Sequence, residues 1–111
     1  MSVSAPFTPC GNTVTFTANV AAPTAVQCVS NTLGGNQYRI INQSGSVTVF
    51  LGVGNSAATA NTNAMVITST GTSIPLLPGT DEILSFQPNA YFTGITSANT
   101  AVVFITAGDG L

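Results

Sequence analysis

Apolar residues in this chain come in short runs, and nowhere do they hold the three- and four-residue spacing of an amphipathic helix through three turns. Clusters of Gly, Pro, Asn and Ser separate the runs, which is how strands are punctuated. The clearest run sets Val14, Phe16, Ala18 and Val20 against Thr15, Thr17 and Asn19, an alternation that turns one set inward and the other outward. Strands are predicted over 14–20, 25–29, 37–41, 47–53, 65–69, 81–86, 91–96 and 101–107. Seven or eight short strands point to an all-β fold, a two-sheet antiparallel β-sandwich. At 111 residues there is room for one domain spanning 1–111, with 1–12 read as an extended N-terminal arm.

The connections follow from turn chemistry. Asn42, Gln43, Ser44, Gly45 and Ser46 tolerate turn geometry and include a Gly suited to positive φ, so a hairpin is expected between the third and fourth strands. Pro75 and Pro78 remove ladder donors around Leu76 and Leu77, which makes this piece an edge or crossover segment. Residues 56–63, rich in Ala, Thr and Asn, read as a long loop with room for one helical turn. Leu33 to Asn36 reads as a further turn, and Gly108, Asp109 and Gly110 end the last strand. The large apolar residues of the clearest strands are expected inside: Phe16, Val26, Ile40, Val49, Leu84, Phe86, Phe92, Val102 and Phe104.

Two strands break the simple alternation. Val102, Val103, Phe104 and Ile105 are apolar on both faces, and Phe50 stands on the opposite side from Val47, Val49 and Leu51. A small sandwich usually leaves the outer face of each sheet wet, so such strands imply a cover, either a folded-over loop or another subunit.

Charge narrows the chemistry. Arg39 is the single cation, Asp81, Glu82 and Asp109 are the acids, and Lys, His and Trp do not occur. Polarity comes instead from 17 Thr, 10 Ser and 10 Asn. At 44% hydrophobic the chain has the means to build a core, and its longest apolar runs are far short of the about 20 residues of a membrane span. Hydroxyl nucleophiles need a base beside them, and here neither His nor Lys can serve. Asp81 and Glu82 are adjacent, so on a strand they point to opposite faces and do not form a paired-carboxylate site. Catalytic residues, cofactors and metal ligands are therefore not expected. One Arg cannot form a phosphate-binding track, so nucleic acid is not an expected partner, and no membrane association is expected either. Gly52 and Gly54, without a phosphate-loop Lys, read as turn or bulge glycines.

Three residues remain as candidate partner contacts. Arg39 either satisfies carbonyls and pairs with an acid, or faces a partner. Tyr38 and Tyr91 are aromatic residues on predicted strands, suited to a core, an interface or a stacking site. Cys10 and Cys28 could close a disulfide, although residues 1–10 show no secretory leader, and a cytoplasmic origin favours free thiols.

Four segments in order resemble the small capsid decoration or cement proteins of tailed bacteriophages: QYRIINQSGSVTVFLGVG at 37–54, IPLLPGTDEILSF at 74–86, NAYFTGIT at 89–96 and VVFITAGDGL at 102–111. The resemblance implies a β-sandwich of jelly-roll-like form in a non-catalytic virion protein on the outer capsid surface, made in the cytoplasm of a bacterial host. It also implies the major capsid protein as partner and a homo-oligomer, a trimer rather than a dimer. The alternative on the same fold is a carbohydrate- or receptor-binding module of a tail or head fibre, with Tyr38 and Tyr91 as stacking rings.

Overall fold

Thr and apolar residues alternate along the first strand, β1 (Thr8–Ala18), and the chain folds as that pattern asks. Phe16 and Ala18 are buried, while Thr13, Thr15 and Thr17 are exposed. The computed structural model describes residues 8–28 and 36–109. Among them β1 is followed by β2 (Val26–Gln27), β3 (Gln37–Asn42), β4 (Val49–Gly54), α1 (Ala57–Asn63), β5 (Ile74–Leu76), β6 (Asp81–Ser85), β7 (Tyr91–Ile95) and β8 (Ala101–Asp109).

These strands make two four-stranded sheets, a front sheet in the order β1-β8-β3-β6 and a back sheet in the order β2-β7-β4-β5. Every strand pair is antiparallel, and the pairs β1/β8, β2/β7, β3/β6 and β4/β5 are nested. That nesting is a long antiparallel ribbon rolled into two layers, the jelly roll.

The core lies between the layers. Tyr38, Ile40, Val103 and Ile105 from the front sheet meet Val49, Leu51, Leu76 and Phe92 from the back sheet, all fully buried. The register explains which face of β8 goes in. Phe16 is opposite Val103 and Val14 opposite Ile105, and residues opposite each other share a face. Val102 and Phe104, expected inside, instead lie outward beside Thr17 and Thr15 and are only half-buried. Of the other expected core residues, Phe16, Ile40, Val49 and Phe92 are buried, and Val26, Leu84 and Phe86 pack partly buried against them.

An aromatic group closes one end of the core. The Tyr38 ring meets Phe92 edge-on at 4.8 Å between centroids and lies 6.2 Å from Phe86. Its hydroxyl donates toward the carbonyls of Gln87 and Pro88, at 2.8 and 2.7 Å. Tyr38 is therefore a core residue and not a partner contact, because a side chain with no exposure has nothing to offer a ligand. Removing the hydroxyl leaves the two carbonyls without this donor. Tyr38→Phe is expected to cost about 1–2 kcal/mol, read as a lower midpoint in thermal unfolding. An unchanged midpoint would show that water replaces the hydroxyl.

Four expectations are corrected. The 42–46 segment is not a hairpin, since β3 and β4 belong to different sheets and the chain there crosses between layers. The backbone needs no left-handed glycine at Gly45; among the described residues positive φ occurs at Gly79 and Asn99. Residues 65–69 form no strand, because the place beside β4 is filled by β5, with Leu76 opposite Val49. The proline-flanked segment is thus the back-sheet edge, as its missing donors require. Residues 8–12 belong to β1, irregular between Pro9 and Thr13, and not to a free arm. Residues 1–7 and the expected turn over 33–35 lie outside the described residues.

Candidate functional site

The outer faces of the two sheets differ in what covers them. On the back sheet, alternation turns Gly52 and Gly54 outward, and α1 lies across them. A Cβ at Gly52 would stand 2.3 Å from the Ala60 carbonyl oxygen, and one at Gly54 2.6 Å from the Ala60 nitrogen. The helix starts at Ser56, whose Oγ accepts from the Thr59 N–H at 3.1 Å, a conventional N-cap. It is tied down at its far end by Asn63 Nδ2, which donates to the Val53 carbonyl at 2.7 Å. Gly52 and Gly54 are thus strand residues that seat a helix, not turn or bulge glycines. Their spacing of two, followed by an Ala-rich segment with a capping Ser, is the signal that could have revealed this.

No described element lies over the front sheet. Its outer face carries Thr13, Thr15 and Thr17 from β1, then Val102, Phe104 and Thr106 from β8. Gln37, Arg39 and Ile41 of β3 and Asp81, Ile83 and Ser85 of β6 lie on the same face, with Gly108 of β8 beside Gln37. Phe104 stands between Thr15 and Ile41, and Ile83, opposite Arg39, is 47% exposed. The result is an apolar strip bordered by threonines, where an antiparallel sandwich ordinarily places polar groups. Thr13 and Thr106 share a hydrogen bond of 2.7 Å between their hydroxyls.

Arg39 lies within this strip and pairs with Asp81 in a bidentate geometry, Nε to Oδ1 at 3.0 Å and Nη2 to Oδ2 at 2.6 Å. The guanidinium's hydrogen bonds hold the Asp81 carboxyl below its usual range, and the same pairing raises Arg39. What the pair contributes to stability is present above the ordinary carboxylate range and is lost as pH falls through the lowered Asp81 value. Both side chains are about half-exposed, so that contribution is small and screened by salt. Glu82, one residue on, is opposite Ile40 and so belongs to the other side of β6.

The other candidates do not join this site. Tyr91 is half-buried on the back sheet, opposite Gln27 and Gly54, across the sandwich from Arg39. Cys28 is a buried free thiol whose Sγ donates to the Ile105 carbonyl at 3.3 Å. Burial pushes it up to about 11, so it is neutral at pH 7 and a poor nucleophile. The Cys10 side chain lies outside the described part of the structure. Among the described residues no cluster of three His, Cys, Asp or Glu could hold a metal ion, and no helix is long and apolar enough to cross a membrane. No protein-family model, curated protein or solved structure matches this chain.

Proposed function

We propose that this chain is a non-catalytic structural subunit that binds and stabilises a phage capsid, a decoration or cement protein held on the outer shell by the major capsid protein and by its own copies. The observation that carries this reading is the front-sheet outer face, which no described element covers and which, among the described residues, holds Val102, Phe104 and Ile41 half-buried and Ile83 exposed with no unpaired charge. Such a strip favours repeated packing against protein more than capture of a small polar ligand. A subunit that binds the mature lattice and not its precursor stabilises that lattice by linkage, and many weak contacts in an array add up through multivalency. The glycan-binding alternative is weakened by the burial of Tyr38, which leaves Tyr91 as its one tyrosine ring.

Attachment should then depend little on ionic strength. With one cation and three acids per chain, few ion pairs can cross an interface, and apolar burial with uncharged hydrogen bonds must supply the affinity. Without His the subunit has no histidine trigger between pH 5 and 8. On purified particles the bound subunit should persist into molar salt and be stripped by chaotropes. Electron microscopy of the same particles should place it on the shell lattice. Steep loss between low and molar salt would show that charge dominates the contact, and particles without the subunit on the lattice would end the capsid reading.

A further inference from the structure

We infer that Cys10 and Cys28 are an oxidation site, closing an intrachain disulfide that ties the start of β1 to the chain just beyond β2 and stabilises the fold. The ladder between β1 and β8 places the first of them. Pro9 is opposite Gly108 and Thr13 opposite Thr106, so residues 10–12 together face the single position Ala107. Gly108 lies on the outer side with Thr106, which puts Pro9 outward and Cys10, one residue on, at an inward position beside Ala107. Cys28 reaches the same place from the back sheet. Its Sγ donates to the Ile105 carbonyl at 3.3 Å, and the backbone of Val14 and of Ala107 hydrogen-bonds to it. The thiol therefore sits where the β1 ladder is irregular, on the residue that Cys10 faces. Ladder neighbours have Cα atoms about 4.5–5.5 Å apart, and a disulfide spans about 4.4–6.8 Å between its Cα atoms. These are the chain's two cysteines, so each has one possible partner within the molecule.

The oxidant is a low-molecular-weight disulfide such as oxidised glutathione. The Cys10 thiolate attacks one of its sulfurs, forming a mixed disulfide and expelling one thiolate. The Cys28 thiolate then attacks the Cys10 sulfur, so that the protein disulfide forms and the second small thiolate leaves. Two electrons pass to the oxidant, and the two protons of the protein thiols go to the leaving thiolates. Burial holds the Cys28 thiol neutral at pH 7, which makes it the second to react, at the high effective concentration of an intramolecular step. The bridge restricts the unfolded chain over residues 10–28, which is the source of its stabilisation. It needs no capsid, so it holds or fails independently of the proposed function.

The test is the purified full chain equilibrated with oxidised glutathione and, separately, with dithiothreitol. After oxidised glutathione, neither cysteine should react with a thiol reagent in denaturant. Chymotrypsin cutting after Phe16, between the two cysteines, should leave two fragments that stay joined until reductant is added. The thermal midpoint should lie about 10 °C above that of the reduced chain. Cys10→Ser and Cys28→Ser should each abolish that rise. Cys28→Ser also replaces a buried thiol, so Cys10→Ser is the deciding variant. A chain that keeps two reactive thiols, one that stops as a glutathione adduct, chains linked to each other, or a bridge without a higher midpoint overturns the inference.

Discussion

Asn42→Ala is expected to destabilise the domain by about 3–5 kcal/mol, lowering its unfolding midpoint by about 15 °C or more. Asn42 ends β3 just where the chain leaves the front sheet, and its side chain is fully buried. Its Nδ2 donates to the carbonyls of Val47 at 2.9 Å and Leu76 at 3.0 Å, and its Oδ1 accepts from the Ser44 N–H at 3.1 Å. One amide therefore holds the crossover loop, the start of β4 and the edge strand β5 in register. Alanine would leave these groups without partners in a place water reaches poorly, at about 1–3 kcal/mol for each buried group. Asn42→Asp should do no better, since a carboxylate cannot donate to the two carbonyls and would carry a buried charge. Thermal and urea unfolding measure the effect. A loss below about 1 kcal/mol would mean that water takes the place of the amide and that the loop is not pinned as described.

The second large effect is expected at Gly52. In Gly52→Val the branched side chain must occupy space already held by the Ala60 carbonyl and the Ala64 backbone, within 2.5 Å of the first atom added. Backbone cannot give way as the tip of a flexible side chain does. Either the sheet distorts or α1 lifts off, and overpacking of this kind costs about 1–3 kcal/mol or more. Lifting would expose residues 55–65, so limited proteolysis should begin to cut there while the remaining strands stay protected. Gly45→Ala is the control, because nothing lies within 4 Å of the position and its φ is not positive. If Gly52→Val resists proteolysis and unfolds as the native chain does, the helix is not seated on the glycines.

These two sites mark the boundary between what local pattern can say and what it cannot. The first strand of the front sheet could be read from alternation, since Thr13, Thr15 and Thr17 face water and Phe16 and Ala18 do not. Proline placement made the short segment before Gly79 an edge, because a missing N–H is harmless only there. The candidate site was half legible: apolar residues on both faces of the last strand called for a cover, and Arg39 with an acid called for a pair. That Ile41 and Ile83 would extend the strip, and that Asp81 would be the acid, depended on β6 lying beside β3.

Composition and periodicity by themselves settled the fold class, because burying one side of an alternating strand requires a sheet, and short strands require two layers to enclose a core. They also settled that polarity here rests on hydroxyl and amide groups, since almost no charge is present. Tertiary structure alone decided which face of β8 turned inward, because a strand apolar on both sides has no phase until a neighbour such as β1 sets its register. It decided that Tyr38 is core, that residues 42–46 cross between sheets, and that two glycines carry a helix. Each of these depends on residues far apart in the chain, where local propensity holds no information and the nested strand order does.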